Sequence, residues 1–135
     1  MSKRQDIQHL GSATALPFSP AVRVGNLVFV SGQASVDAAG AIVHDTFENE
    51  MRRTMLNLIA VLKLAGATLA DVVQVRSYVD DPAHLSAYNQ LYREYFPAPQ
   101  PARTTLLRCL GGVIKFEIDV IAVVAPPPDN HGTSH

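Results

Sequence analysis

Two side chains in the last third of the sequence have the makings of a reactive pair. Arg103 follows Pro101-Ala102, and Glu117 lies in the next apolar run. An arginine is a permanently charged planar fork whose parallel N–H donors match the two oxygens of a carboxylate. A glutamate among apolar neighbours becomes a proton carrier when partial burial raises its pKa. Together they could bind a small carboxylate and move a proton to or from water beside it. Each also has a plainer reading, as a salt-bridged surface arginine and as a glutamate on the wet face of a strand.

Other candidates are weaker. Ser31-Gly32-Gln33 presents a hydroxyl beside a flexible backbone position but lacks the flanking glycine of a nucleophile elbow, which favours a positioning role for Ser31. His9, His44, His84, His131 and His135 are scattered without metal-ligand spacing, so no metal is expected. No glycine-rich phosphate loop follows a suitable strand.

The elements that must hold Arg103 and Glu117 begin with residues 101–124, two extended runs joined by Gly111-Gly112. Over 113–124, Ile114, Phe116, Ile118, Val120 and Ala122 alternate with Lys115, Glu117 and Asp119, which predicts a strand with one dry face. The glycine pair predicts a hairpin. Pairing Leu110 with Val113 puts Arg103 and Glu117 on opposite faces, so only a bulge, a register shift or a second subunit could unite them.

Upstream, residues 1–10 are polar and expected to be frayed, 21–24 form a short strand, and Gly25-Asn26 turns into a buried strand over 27–31 that Gly32-Gln33 breaks. Residues 36–43 suggest an irregular hairpin or bulged edge. The spacing of Phe47, Met51, Met55, Leu58, Leu62 and Ala65 predicts a helix over 47–64, capped by Thr46 or Asp45 and stopped by Gly66. Thr68 to Asp71 has capping-box spacing. A strand over 72–79 places Val73, Val75 and Val79 on one side and Gln74, Arg76 and Tyr78 on the other. Asp81-Pro82 starts a second helix whose inner stripe is Leu85, Tyr88, Leu91, Tyr92 and Tyr95, and Pro97, Pro99 and Pro101 end it.

This order predicts an α+β domain with both helices on one face of a mixed sheet. Ile121, Val123, Val72 and the run 27–30 leave the other face partly apolar, so part of it should be covered in an oligomer. The chain has 135 residues and a formal net charge of -1, room for one domain over 1–125 followed by a flexible proline-rich tail over 126–135. Charges of both signs are mixed along it, and no nucleic-acid or membrane partner is expected. A single cysteine, Cys109, expected as a buried apolar group in a strand, fits a reducing compartment. With neither a secretory pattern nor a membrane-spanning run in view, the expected location is cytoplasmic.

The order Gly25-Asn26, Ser31-Gly32-Gln33, Gly66, Asn89 to Phe96, and above all Pro101-Ala102-Arg103 to Glu117-Ile118-Asp119-Val120-Ile121-Ala122, resembles the Rid/YjgF family of reactive-intermediate deaminases, also called L-PSP endoribonucleases. The resemblance covers roughly residues 16–124. It implies a chorismate-mutase-like fold of about six strands with two helices on one face. It also implies a homotrimer with clefts between subunits and no cofactor. By resemblance, Arg103 clamps the carboxylate of 2-aminoacrylate or 2-iminobutanoate, Glu117 handles the hydrolytic water, and Ser31 and Asn89 border the site. The implied products are 2-oxo acids and ammonia. Phe18 stands where a tyrosine is common, Thr105 where a cysteine is frequent, and the Gly111-Gly112 turn is shorter than the usual Leu-Pro form. A carboxylate-binding or regulatory trimer without turnover is the alternative, followed by an endoribonuclease or translation inhibitor, to which the mixed charge lends little.

Overall fold

The computed structural model describes residues 6–12 and 15–125; the tail expected over 126–135 lies outside them. The strands are β1 (Ile7–Leu10), β2 (Ala21–Val24), β3 (Leu27–Ala34), β4 (Val72–Val79), β5 (Ala102–Leu107) and β6 (Phe116–Val123), and the helices are α1 (Phe47–Leu64) and α2 (Leu85–Tyr95). They form one six-stranded mixed sheet in the order β1-β2-β3-β6-β4-β5, the expected α+β arrangement. Of the residues expected to fray, 7–10 instead pair antiparallel with β2, which gives their backbone groups partners.

The largest departure concerns the expected hairpin. Gly111 and Gly112 do form a turn, with φ of 65° and 74° and Val113 N donating to Leu110 O at 3.2 Å. The strands on either side of it are not neighbours. β4 lies between them, antiparallel to β6 and parallel to β5. Asp80 holds the crossing, its carboxylate accepting from Leu110 N at 2.8 Å and Gly112 N at 2.9 Å. Strand β6 accordingly starts at Phe116, later than alternation suggested, and Cys109 sits exposed in the connection and not buried in a strand.

Two bulges set the faces. Between Val30 and Gln33 the β3–β6 register shifts, so β3 continues through Gly32-Gln33 to Ala34 where a break was expected. Between Val72 and Gln74 the β4–β6 register shifts as well. That shift buries Val72 and leaves Val73 47% exposed, reversing the expected side for Val73, because an extra residue flips the alternation.

Helix α1 forms over its predicted span, with the Thr46 side chain accepting from Asn49 N. Its stripe of Met51, Met55, Leu58 and Leu62 is fully buried, together with Val28, Val75, Val79, Phe116, Ile118 and Ala122 of the sheet. A 3-10 turn at Pro82–His84 leads into α2, which buries Tyr88, Leu91 and Tyr92 in the same core. Among the described residues no helix covers the opposite sheet face. It exposes Leu27 (41%), Phe29 (40%) and Val123 (40%), as the interrupted alternation suggested. No helix among the described residues is long and apolar enough to cross a membrane.

Candidate functional site

The register sorts the predicted site residues into two groups. Val30, Val120, Val75 and Arg103 are successive cross-strand partners, so Arg103 extends a buried row on the helix-covered face. Gln33, Ile118, Ser77 and Thr105 form the next row on that face. Ala34, Glu117, Tyr78 and Leu106 form a row on the open face. Within one chain, therefore, Arg103 and Glu117 lie on opposite faces, as parity indicated, although β4 and not a hairpin relates them.

The first group gathers around Arg103. Tyr88 and Tyr92, one helical turn apart, turn their rings toward the start of β5. The guanidinium lies 4.7 Å from the Tyr92 ring centroid and 5.1 Å from that of Tyr88. Its Nη1 donates to Asn89 Oδ1 at 2.9 Å. Two ring faces fix the plane of the fork and Asn89 fixes its rotation, while the remaining donors have no acidic partner among the described residues. Thr105 Oγ1 lies 3.4 Å from the Tyr88 hydroxyl. The Tyr92 hydroxyl is buried without a partner among the described residues, and burial, with Tyr88 beside it, pushes this phenol up to about 12 against the opposing pull of Arg103. A cleft of about 240 Å³ opens here, lined by Asn89, Tyr92, Arg93, Gln100, Pro101 and Arg103.

The second group lies where β3 bulges against β6. Ser31 Oγ donates to Ser19 O at 2.6 Å, and Ser31 N donates to Pro20 O at 3.0 Å, which docks the 18–20 segment on the strand. With its proton engaged, Ser31 is arranged to position this segment and accept a hydrogen bond. Phe18, the first residue of that segment, stands half exposed. A Cβ at Gly32 would meet the Glu117 carboxylate, so glycine leaves the room this side chain occupies. Burial, and then the negative charge of Asp119, raises the Glu117 pKa above the ordinary 4.5. Asp119 itself accepts from Arg76 Nε at 2.8 Å and from the Tyr78 hydroxyl at 2.6 Å.

Sequence reasoning missed Arg76, Tyr78 and Asp119 as neighbours of Glu117. Alternation already placed Arg76 with Tyr78 and Glu117 with Asp119, but only the β4–β6 register joins the pairs. Tyr88 and Tyr92 were read as core stripe, and their second role under Arg103 depends on the parallel pairing of β5 with β4. The described residues hold no cluster of three His, Cys, Asp or Glu side chains suited to a cation.

The family described as endoribonuclease L-PSP matches residues 10–124. Protein mmf2, mitochondrial, of Schizosaccharomyces pombe is 40% identical over 112 residues, covering 78% of this chain and 86% of that protein. The 2-iminobutanoate/2-iminopropanoate deaminase of Dermatophagoides farinae is 33% identical over 110 residues, 80% of this chain and 86% of the relative. The crystal structure of RidA from an Antarctic Psychrobacter superposes with a TM-score of 0.79 at 26% identity, covering 87% of this chain and 99% of that one. With the mixed sheet, the two helices on one face and a match across nearly all described residues, the chain belongs to the Rid/YjgF, or endoribonuclease L-PSP, family.

Proposed function

We propose that this chain hydrolyses small 2-imino and enamine acids, such as 2-iminobutanoate and 2-aminoacrylate, to 2-oxo acids and ammonia. The observation that carries the reading is Arg103, a guanidinium oriented by two tyrosine rings and Asn89 with donors to spare for a carboxylate. An enamine acid first gains a proton at its methylene carbon and loses one from nitrogen to become the imine. Water then adds to the imine carbon, forming a C–O bond as the C=N π pair moves to nitrogen, and the C–N bond of the carbinolamine then breaks so that the nitrogen leaves as ammonia. Arg103 orients the substrate through its carboxylate, and Glu117 passes two protons to the nitrogen in turn, the first from the attacking water and the second from the carbinolamine hydroxyl as the C=O bond forms. Support for this class of chemistry comes from the family, whose relatives include a 2-iminobutanoate/2-iminopropanoate deaminase.

Arg103 with Asn89 and Thr105 on one face, and Glu117 with Ser31 and Phe18 at the bulge, make a complete site only when two subunits meet. We assign the assembly as a homotrimer, its open apolar faces turned inward and one site at each interface. The half-exposed Leu27, Phe29 and Val123 favour such cover. The single cysteine supports a cytoplasmic address.

The direct test is ammonia release from freshly generated 2-aminoacrylate and 2-iminobutanoate. Wild type should accelerate it, and R103A should lose most of that acceleration while keeping its assembly state. Assembled wild type that leaves both rates unchanged would reduce the reading to a carboxylate-binding role.

The pH profile gives a second prediction. Because Glu117 must be ionised to take the water's proton, kcat/KM should fall on the acid side with an apparent pKa above 4.5. D119N removes a like charge and should move that limb downward. Tyr78 and Arg76 are the other charged or titratable groups near it from β4, while the β3 bulge contributes only Ser31, Gly32 and Gln33. An acid limb unchanged in D119N would remove Glu117 as its source.

A further inference from the structure

We infer that the Arg103 cleft is built for two carboxylates, with Arg93 binding the second, so that the preferred substrates are 2-imino dicarboxylic acids. This rests on the deaminase reading for the identity of the first carboxylate. Its own observation is that Arg93 and Arg103 each fasten one guanidinium nitrogen to the same residue. Arg103 Nη1 donates to Asn89 Oδ1 at 2.9 Å, and Arg93 Nη1 reaches the Asn89 main-chain oxygen at 3.4 Å. Both side chains line the one cleft of about 240 Å³, with Gln100 as a further polar group.

Neither arginine has an acidic partner among the described residues. The neighbouring acid on α2, Glu94, is already engaged by Arg52 at 3.2 Å. Two like charges held within reach of one residue repel each other, and an anion between or beside them relieves the repulsion. A monocarboxylic imine occupies one fork and leaves the other unmatched. A second carboxylate, a few bonds from the first, fills both and matches the planar donor geometry of each.

The cleft walls suit such a ligand. Tyr92 contributes a buried ring and an unpartnered hydroxyl, and Pro101 an apolar edge, so the carbon chain between the carboxylates can lie against apolar surface. A longer aliphatic side chain with no terminal charge would instead leave Arg93 unpaired at the mouth.

The test is equilibrium binding of two product-like probes, 2-oxoglutarate and 2-oxobutanoate, to the full chain by calorimetry. Wild type should bind 2-oxoglutarate about tenfold more tightly, the scale of one charge-assisted pair at an exposed position. R93Q should abolish that preference while leaving 2-oxobutanoate within about twofold, and R103A should weaken both probes. R93K, keeping the charge without the fork, should recover part of the preference. Equal affinities in wild type, or an R93Q protein that keeps the preference, would overturn the proposal. Arg93-dependent dicarboxylate binding by a wild type that hydrolyses neither imine would uphold the two-anion cleft while removing the deaminase reading. Imine hydrolysis without any Arg93 effect would do the reverse.

Discussion

Mixing two inactive variants should restore activity. R103A and E117A are each expected to lose on the order of 10³ in kcat/KM, one through the substrate clamp and the other through proton transfer. Arg103 ends the row from Val30 through Val120 and Val75, whereas Glu117 shares the opposite face with Ala34 and Tyr78. No side-chain rotation carries either residue through the sheet. A site using both must therefore draw Arg103 from one subunit and Glu117 from its neighbour. After co-refolding equal amounts of R103A and E117A, about a quarter of interfaces in a randomly assembled ring would hold both native residues, so about a quarter of wild-type activity should return. Wild type mixed with the R103A/E117A double variant separates the alternatives. An inter-subunit site retains about a quarter of activity in that mixture, while a site within one chain retains about half. No recovery in the first mixture, with half retained in the second, would overturn the shared site.

The placement of Arg103 and Glu117 within one chain was partly legible in the sequence. The period of Met51, Met55, Leu58 and Leu62 gave α1 its span because one continuous stripe must face one core. Parity placed Arg103 and Glu117 on opposite faces, and the apolar interruptions pointed to a face needing cover. The position of β5 was not legible. Gly111-Gly112 has the local chemistry of a hairpin, and nothing local reports that β4 has already taken the edge of β6. Pairing at long sequence separation is decided by the whole sheet, in which β4 buries Val75, Ser77 and Val79 between two neighbours. The bulge at Ser31-Gly32 left only the faint signal of a glycine inside a strand, read as a break. The same limit hid the polar set around Glu117, whose members come from two strands far apart in sequence.

The largest stability loss at a charged position should come from Glu50, which the proposed chemistry does not use. Its side chain is fully buried near the start of α1. One carboxylate oxygen accepts from Lys115 N at 3.0 Å; the other accepts from Asp45 N at 3.0 Å and lies 3.3 Å from Lys115 Nζ. The same ammonium donates to Asp45 O at 2.7 Å, so one ion pair ties the entry to α1 to the segment entering β6. Burial alone would raise the Glu50 pKa, but these donors outweigh it and hold the group below the ordinary 4.5. E50Q keeps the volume yet turns an amide donor toward N–H groups, and should cost roughly 3 kcal/mol by chemical denaturation, the scale of a broken buried network. E48Q, on an exposed pair with Arg52, should change nothing measurable and serves as the control. The sign of the pH dependence follows from the depressed pKa. Glu50's contribution is complete above the ordinary carboxylate range and is lost as pH falls through its folded value, where wild type also holds a neutral side chain. The gap between wild type and E50Q should therefore be widest near neutral pH and close in acid. A gap constant from pH 7 down to pH 3 would assign the loss to packing and not to the charge that joins these two segments.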